Sequence, residues 1–197
     1  MANTCITSWA LKGLSSTVGL VAAAIDSYSS EPHLHPSDRP LLSGVAALLG
    51  IPEDGVPYSE IVHFKRDESP NILHLSTEDR GVPPLDFFKA LRERLPDLEI
   101  RYLAECFEDD LFETNDMEGE FFPERYALDF ETSLVPDADP VYYFNGEKDL
   151  LDFVRETFGE EMSSADEVES DLEERLLDRD ENAFVSFHEI DYSDALR

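Results

Sequence analysis

A chain of 197 residues with 42% hydrophobic and 11% aromatic side chains can bury roughly 70% of its unfolded surface, which excludes global disorder and any need for disulfides or a structural metal. Its 45 Asp and Glu against 15 Lys and Arg give a net charge of −30 and a pI near 4.2, far beyond the magnitude of about 2 to 8 that solubility asks for. Such a charge excludes nucleic acid and anionic membranes as direct partners, because phosphate binding needs basic patches.

The opening residues hold no basic segment followed by an apolar run, so no signal peptide is expected. Cys5 to Leu11 alternates loosely between β-favouring and small residues and stops at Gly13, which predicts a first strand. Ser15 or Ser16 can cap a helix running to about Tyr28, with Val18, Val21, Ala22 and Ile25 on its buried face. Val18 to Ile25 is also the most apolar stretch, and it is far shorter than the roughly 20 residues a membrane helix needs. The expected location is the cytoplasm. A polar loop with three prolines, Ser29 to Pro40, leads to a short helix over Leu41 to Leu49, ended by Gly50. Two strands follow, Glu60 to Arg66 and Ile72 to Thr77, joined by the turn-like Asp67-Glu68-Ser69-Pro70-Asn71. Val82-Pro83-Pro84 then opens a helix with Leu85, Phe88, Leu91 and Leu95 on one face. Pro96 ends it, and Leu98 to Ala104 returns as a strand.

From Glu105 to Pro140 the chain carries thirteen acids against one base, Arg125, interleaved with Phe107, Phe112, Phe121, Phe122, Tyr126 and Phe130. A disordered acidic tail would be poor in aromatics. The interleaving predicts antiparallel strands with one face in the core and one lined by carboxylates. Val141 to Phe144 is a further strand, and Asn145 is placed to cap a helix with Leu150, Leu151, Val154 and Phe158 inward, closed by Gly159. Ser164-Ala165-Asp166-Glu167 is a capping box ahead of a helix that buries Val168, Leu172 and Leu176. Ala183 to Ile190, with Val185 and Phe187 inward, predicts the last strand.

Strand, helix, two strands, Pro-opened helix and strand is the βαββαβ order of a ferredoxin-like sandwich. Met1-Ala2-Asn3-Thr4-Cys5 entering a strand, Val82-Pro-Pro-Leu-Asp-Phe-Phe-Lys-Ala-Leu and Leu95-Pro-Asp-Leu resemble the YubB-type ferredoxin-like domains of plasmids and phages, over residues 1 to about 130. Val82 stands where that family has an aromatic residue, and acidic residues from Glu105 to Glu113 replace its Gly-rich segment. The resemblance implies a fold and a mobile-element context; it carries no iron–sulfur cluster and no functional residue across. The expected class is therefore α+β, a ferredoxin-like βαββαβ sandwich with additional antiparallel strands and an acidic helical C-terminal extension. Residues 1–140 form the core with its acidic strand extension; residues 141–197, helical with a final strand, pack on it.

The candidate sites each have a plainer rival. Glu108-Asp109-Asp110, Glu118/Glu120 and Asp137/Asp139 could hold a divalent cation or pair as general acid and base. Neighbouring His, Lys or Gly-rich loops that would complete an active site are missing in the sequence, and solvated strand faces account for them as well. His33-Leu34-His35 could present two imidazoles to a metal, or be a proline-rich surface loop. His63, His74 and His188 fall in strands as packing or edge residues. Cys5 and Cys106 are too few for an iron–sulfur cluster and read as reduced thiols; Cys106 has no base nearby to make it a nucleophile.

Asp178, Asp180, Asn182, Ser186 and Glu189 occupy positions 1, 3, 5, 9 and 12 of an EF-hand calcium loop, with Val185 at the apolar position 8. Against that reading, Ala183 stands where the loop requires Gly. The acidic middle, with Glu105, Glu108, Asp109, Asp110, Glu113, Asp116, Glu118 and Glu120, is the expected partner-binding surface. Carboxylates spaced along strands and helices imitate the charge array of a nucleic acid and suit a basic groove on another protein. The expected function is a non-enzymatic acidic interaction protein, a nucleic-acid mimic inhibiting a basic, nucleic-acid-binding or host-defence protein. No cofactor is implied beyond the calcium of the EF-hand alternative. Salt adaptation is the rival account of the charge, since only four lysines accompany eleven arginines.

Overall fold

The computed structural model describes residues 3–30, 39–52, 58–136, 138–139 and 141–196. Among these the chain is a mixed α+β protein with five α-helices and nine strands. It divides into two compact units, Met1–Met117 with Tyr192–Arg197, and Glu118–Asp191. The expected boundary at residue 140 moves to 117/118 because strand β6 (Tyr126–Glu131) pairs with β7 (Val141–Phe144) and β8 (Phe184–Glu189). Aromatic–acidic alternation announced the strand but not which sheet would take it.

In the first unit β1 (Thr4–Lys12) is flanked by antiparallel partners on both sides, β3 (Ile72–Arg80) and β4 (Glu99–Cys106). With β2 (Ser59–Arg66), β5 (Leu111–Thr114) and β9 (Asp191–Tyr192) the sheet runs β2-β3-β1-β4-β5-β9. Helices α1 (Ser15–Ser29) and α2 (Leu42–Leu49) lie between β1 and β2 in sequence, and α3 (Leu85–Arg94) between β3 and β4. Alternation puts Trp9 and Leu11 of β1, Leu73 and Leu75 of β3, and Ile100 and Tyr102 of β4 in one core with Val18, Val21, Ile25, Phe88 and Leu91 of the helices. Trp9, the only tryptophan, is 1% exposed and stacks on Phe88 with ring centroids 3.5 Å apart.

Two helix starts differ from expectation. Neither Ser15 nor Ser16 caps α1; Leu14 takes the cap position, and its N–H donates to Asp97 Oδ2 at 3.1 Å. Gly146, not Asn145, precedes α4 (Glu147–Phe158). By contrast, the capping box before α5 (Ala165–Leu177) is present in part. Ser164 Oγ accepts from Glu167 N–H, while the Glu167 carboxylate reaches Ser163 rather than Ser164. Gly50 and Gly159 end α2 and α4 at φ 67° and 75°, the left-handed region where a missing Cβ removes the strain.

The second unit is a three-stranded antiparallel sheet, β7-β6-β8, with α4 and α5. Leu128 and Phe130 of β6 meet Leu150, Val154, Phe158, Val168, Leu172 and Leu176 of the helices, with Val185 and Phe187 of β8 packed against them. This unit is inserted in sequence between β5 and β9, which are neighbours in the first sheet. Just beyond β9, Ser193 N–H donates to Thr114 C=O at 2.8 Å. No described helix is long and apolar enough to cross a membrane.

Because each unit has its own core cluster, Leu172→Ala, at a fully buried position, is expected to cost about 2–5 kcal/mol. In hydrogen exchange the lost protection should fall on α4, α5 and β6–β8, while the amides of Leu11 and Leu73 keep theirs. Parallel loss in both sets would mean one cooperative core.

Candidate functional site

The inner face of the first sheet ends in a row of polar side chains. The ladders place Ser59 of β2 and Cys5 of β1 opposite Asp79 of β3, and Ile6 opposite Glu105, so the next step sets Cys106 of β4 beside Cys5. Ser59, Asp79, Cys5 and Cys106 are 1%, 1%, 0% and 3% exposed, a buried line across four adjacent strands. One step inward, Thr7 and Thr77 face each other and both donate hydroxyl hydrogens to Asp79 Oδ2, at 2.8 and 2.9 Å. Trp9 Nε1–H donates to Thr77 Oγ1 at 3.0 Å, which links the indole to the carboxyl through one hydroxyl.

Asp79 Oδ1 and Ser59 Oγ are buried and complete no hydrogen bond. Burial pushes the Asp79 carboxyl up to about 6, while the nearby hydroxyls of Ser59, Thr7 and Thr77 pull the other way. No donor bonds to Oδ1, and burial favours its neutral, protonated form. The row can thus hold one proton in the core. A strand ended at Thr77, as the sequence predicts, leaves Asp79 out, whereas β3 runs to Arg80. Continuing the alternation Leu73, Leu75, Thr77 by one more step puts Asp79 inside.

The residues expected to form one acidic binding surface separate. Glu108 and Asp109 sit in an exposed 3-10 turn, Phe107–Asp109, and Asp110 follows at φ 55°. Asp109 accepts from Asn3 Nδ2 and from the Cys106 thiol, at 2.7 and 3.3 Å. Glu105 is half-buried on the sheet face opposite to Cys106. Glu113 is half-buried and accepts from Tyr102 Oη–H at 2.7 Å. Asp116 is 2% exposed. Glu118 and Glu120 are exposed but belong to the second unit. The segment reverses and changes unit within sixteen residues, so adjacency in sequence does not become one face.

The EF-hand loop is not formed. Position 12 of such a loop opens an exiting helix, whereas Glu189 ends strand β8 and Ser186 lies inside it, opposite Asp129 of β6. Asp178 is the C-cap residue of α5, and Asn182 lies in a turn after it. Asp180 is engaged elsewhere: Oδ2 accepts from Thr132 Oγ1 and Ser133 N–H, and Oδ1 from Asn182 N–H. These bonds, those from the Ser133 and Asn182 backbone first, hold its carboxyl down at about 2. Among the described residues no group of three or more His, Cys, Asp or Glu comes together as a metal site.

His33, His35 and Asp137 lie outside the described residues. His74 Nε2 stands 3.8 Å from Asp67, at the surface. His188 is 6% exposed with Nε2 2.9 Å from Ser186 Oγ, a polar pair two residues apart within β8 on the sheet face away from Leu128 and Phe130. No family model, curated protein or solved structure matches this chain.

The pH dependence of Asp79 follows from its raised value. Below about pH 4 the group is protonated both folded and unfolded, and its contribution to stability is intact. Between about 4 and 6 the unfolded chain ionises first, so stability falls with rising pH until the cost, of the order of 3 kcal/mol, is complete above 6. Asp79→Asn, a permanently neutral partner for Thr7 and Thr77, is expected to match the wild type near pH 4 and to exceed it at pH 8. Urea unfolding followed by Trp9 fluorescence at both pH values measures this. The self-repulsion common to both proteins cancels in the difference, and a difference independent of pH would refute a buried proton at Asp79.

Proposed function

We propose that this is a non-enzymatic interaction protein whose acidic surface occupies the basic, nucleic-acid-binding groove of another protein. The supporting observation is the distribution of charge between the units. Glu118–Asp191 carries 24 Asp and Glu against five Arg and Lys in 74 residues, a net charge of −19; the other 123 residues carry 21 against ten, a net −11. The densest surface is therefore in the second unit rather than at Glu105–Glu120.

On α5, Asp166, Glu169, Glu173 and Glu174 are all exposed. Spacings of three, four and seven put Asp166, Glu169 and Glu173 on one helix face, with Glu174 about 100° round the helix from Glu173, and at 1.5 Å per residue the four charges fall within about 12 Å along the axis. That is close to the one charge per about 3.4 Å of a single DNA strand. Asp166, Glu169 and Glu174 have no ion-pair partner among the described residues. The strand order β2-β3-β1-β4, with helices between β1 and β2 and between β3 and β4, supports reading the first unit as a ferredoxin-like sandwich. It is in keeping with the resemblance to the YubB-type domains and the mobile-element setting that resemblance implies. An inhibitor of a basic host-defence protein suits that setting.

Reversing Asp166 and Glu169, which share that helix face, to Lys is expected to weaken a basic partner's binding at least tenfold at low ionic strength. Reversing the scattered acids Asp26 and Glu93 should have a much smaller effect. Reversal at Glu108–Asp110 is a poorer probe, because Asp109 bonds to Asn3 and Cys106 and Asp110 has positive φ. Partners captured from lysate on the immobilised chain should be eluted by duplex DNA at constant salt as well as by raised salt. Binding insensitive to both would leave salt adaptation as the account of the charge.

A further inference from the structure

From the register of β1 on β4 we infer that Cys5 and Cys106 are an oxidation site, closing to an intramolecular disulfide across the two strands when a small-molecule disulfide such as glutathione disulfide is supplied. Ile6 lies opposite Glu105 in an antiparallel ladder, so Cys5 and Cys106 are the next facing pair. Both side chains are on the inner face and buried. Facing residues of an antiparallel pair have Cα atoms about 4.5–5.5 Å apart, inside the window of about 4.4–6.8 Å that a disulfide spans. They are the only two cysteines and both are free. Independently of the ladder, Cys106 is near enough to Cys5 to be among the groups that raise its thiol.

The approach route is also defined. Cys106 is the last residue of β4, and the exposed turn Phe107–Asp109 begins at the next residue. Its thiol already donates to the exposed Asp109 carboxylate, whereas Cys5 is fully buried with its sulfur against Thr7 Oγ1 at 3.8 Å. Cys106 is therefore the sulfur that meets an oxidant first.

Its thiolate attacks one sulfur of glutathione disulfide, forming a mixed disulfide at Cys106 and releasing one glutathione thiolate. The Cys5 thiolate then attacks Cys106 Sγ, forming the Cys5–Cys106 bond and releasing the second glutathione. Two protein thiols are oxidised, one glutathione disulfide is reduced to two glutathiones, and the two thiol protons pass to the leaving thiolates. Burial holds the Cys5 thiol at about 12 and raises Cys106 as well, with Asp109 adding to the latter. The reacting thiolate is scarce at neutral pH, so closure is slow there and accelerates in alkali.

The test is incubation of the intact, folded chain with glutathione disulfide, followed by intact-mass measurement, non-reducing electrophoresis and peptide mapping. The expected product is a monomer that has lost two hydrogens, with the peptides of Cys5 and Cys106 joined. Its rate should rise roughly tenfold per pH unit from pH 7 to 9. Its melting temperature should be higher than that of the reduced chain, returning on treatment with dithiothreitol. Cys5→Ser should stop at a glutathione adduct on Cys106, and Cys106→Ser should gain no internal link. Disulfide-linked dimers, a stable glutathione adduct on the wild type, or closure seen only in denaturant would each overturn the inference. The wild-type mapping decides the matter even where a serine variant folds poorly.

Discussion

The fold of the first unit hangs on the register of one strand. β1 has hydrogen-bonded partners along both edges, so its alternation sets the inner face for β3 and β4 together. A slip of one residue would turn Cys5, Thr7, Trp9 and Leu11 outward as a set. In the observed register Trp9 lands on Phe88, and the two threonines meet at the one carboxyl that needs them. That same register makes the core amphipathic along its length: aromatic and aliphatic where α3 packs, polar where Asp79 and the thiols stand. A charge-capable group in that position is tolerated because two hydroxyls and, at low pH, a proton offset part of its desolvation.

The second unit manages its acidity in a different way. Its few bases are concentrated: Arg175 meets Glu160, Glu167 and Asp171, and Arg179 meets Glu160 and the Phe158 carbonyl. Exposed pairs of this kind are worth about 0–1 kcal/mol each, too little to hold the unit together. More telling is the use of carboxylates as acceptors for backbone donors. Glu147 takes the Ala165 N–H, Glu167 that of Ser163, Glu173 that of Val185 on edge strand β8, and Asp180 those of Ser133 and Asn182. Part of the acid excess is thus spent on turns, a helix start and a sheet edge. The cohesion comes from the ring cluster of Phe130, Tyr142, Phe144, Phe153 and Phe158.

Elements with strong local signals were legible in the sequence. The Pro83-Pro84 opening and the apolar face of α3, the Ser164 cap of α5, and the alternation of β8 all rest on contacts within a few residues. What was not legible depends on pairing between distant segments. The alternation Leu73, Leu75, Thr77 points to Asp79 as the next inward residue, but that the strand runs on so far is decided by its pairing with Cys5 and Ser59 on either side. The Asp178–Glu189 spacing matches a calcium loop at positions 1, 3, 5, 9 and 12, yet its second half is a strand, because pairing with β6 decides the conformation that spacing leaves open. The Glu105–Glu120 acids looked like one surface for the same reason: a linear count cannot see a strand reversal or a change of unit.

The meeting of Thr114 and Ser193 across 2.8 Å has a consequence for the architecture as a whole. Some seventy-odd residues leave and rejoin the first unit at two points no farther apart than neighbouring strands. An excursion with coincident ends exerts no pull on the sheet it interrupts, whatever its length, since the closure cost to the host grows only logarithmically and is already met by the strand pairing. The acidic module is in this sense a guest: its sequence is free to drift, lengthen or be exchanged without renegotiating the ladder that hosts it.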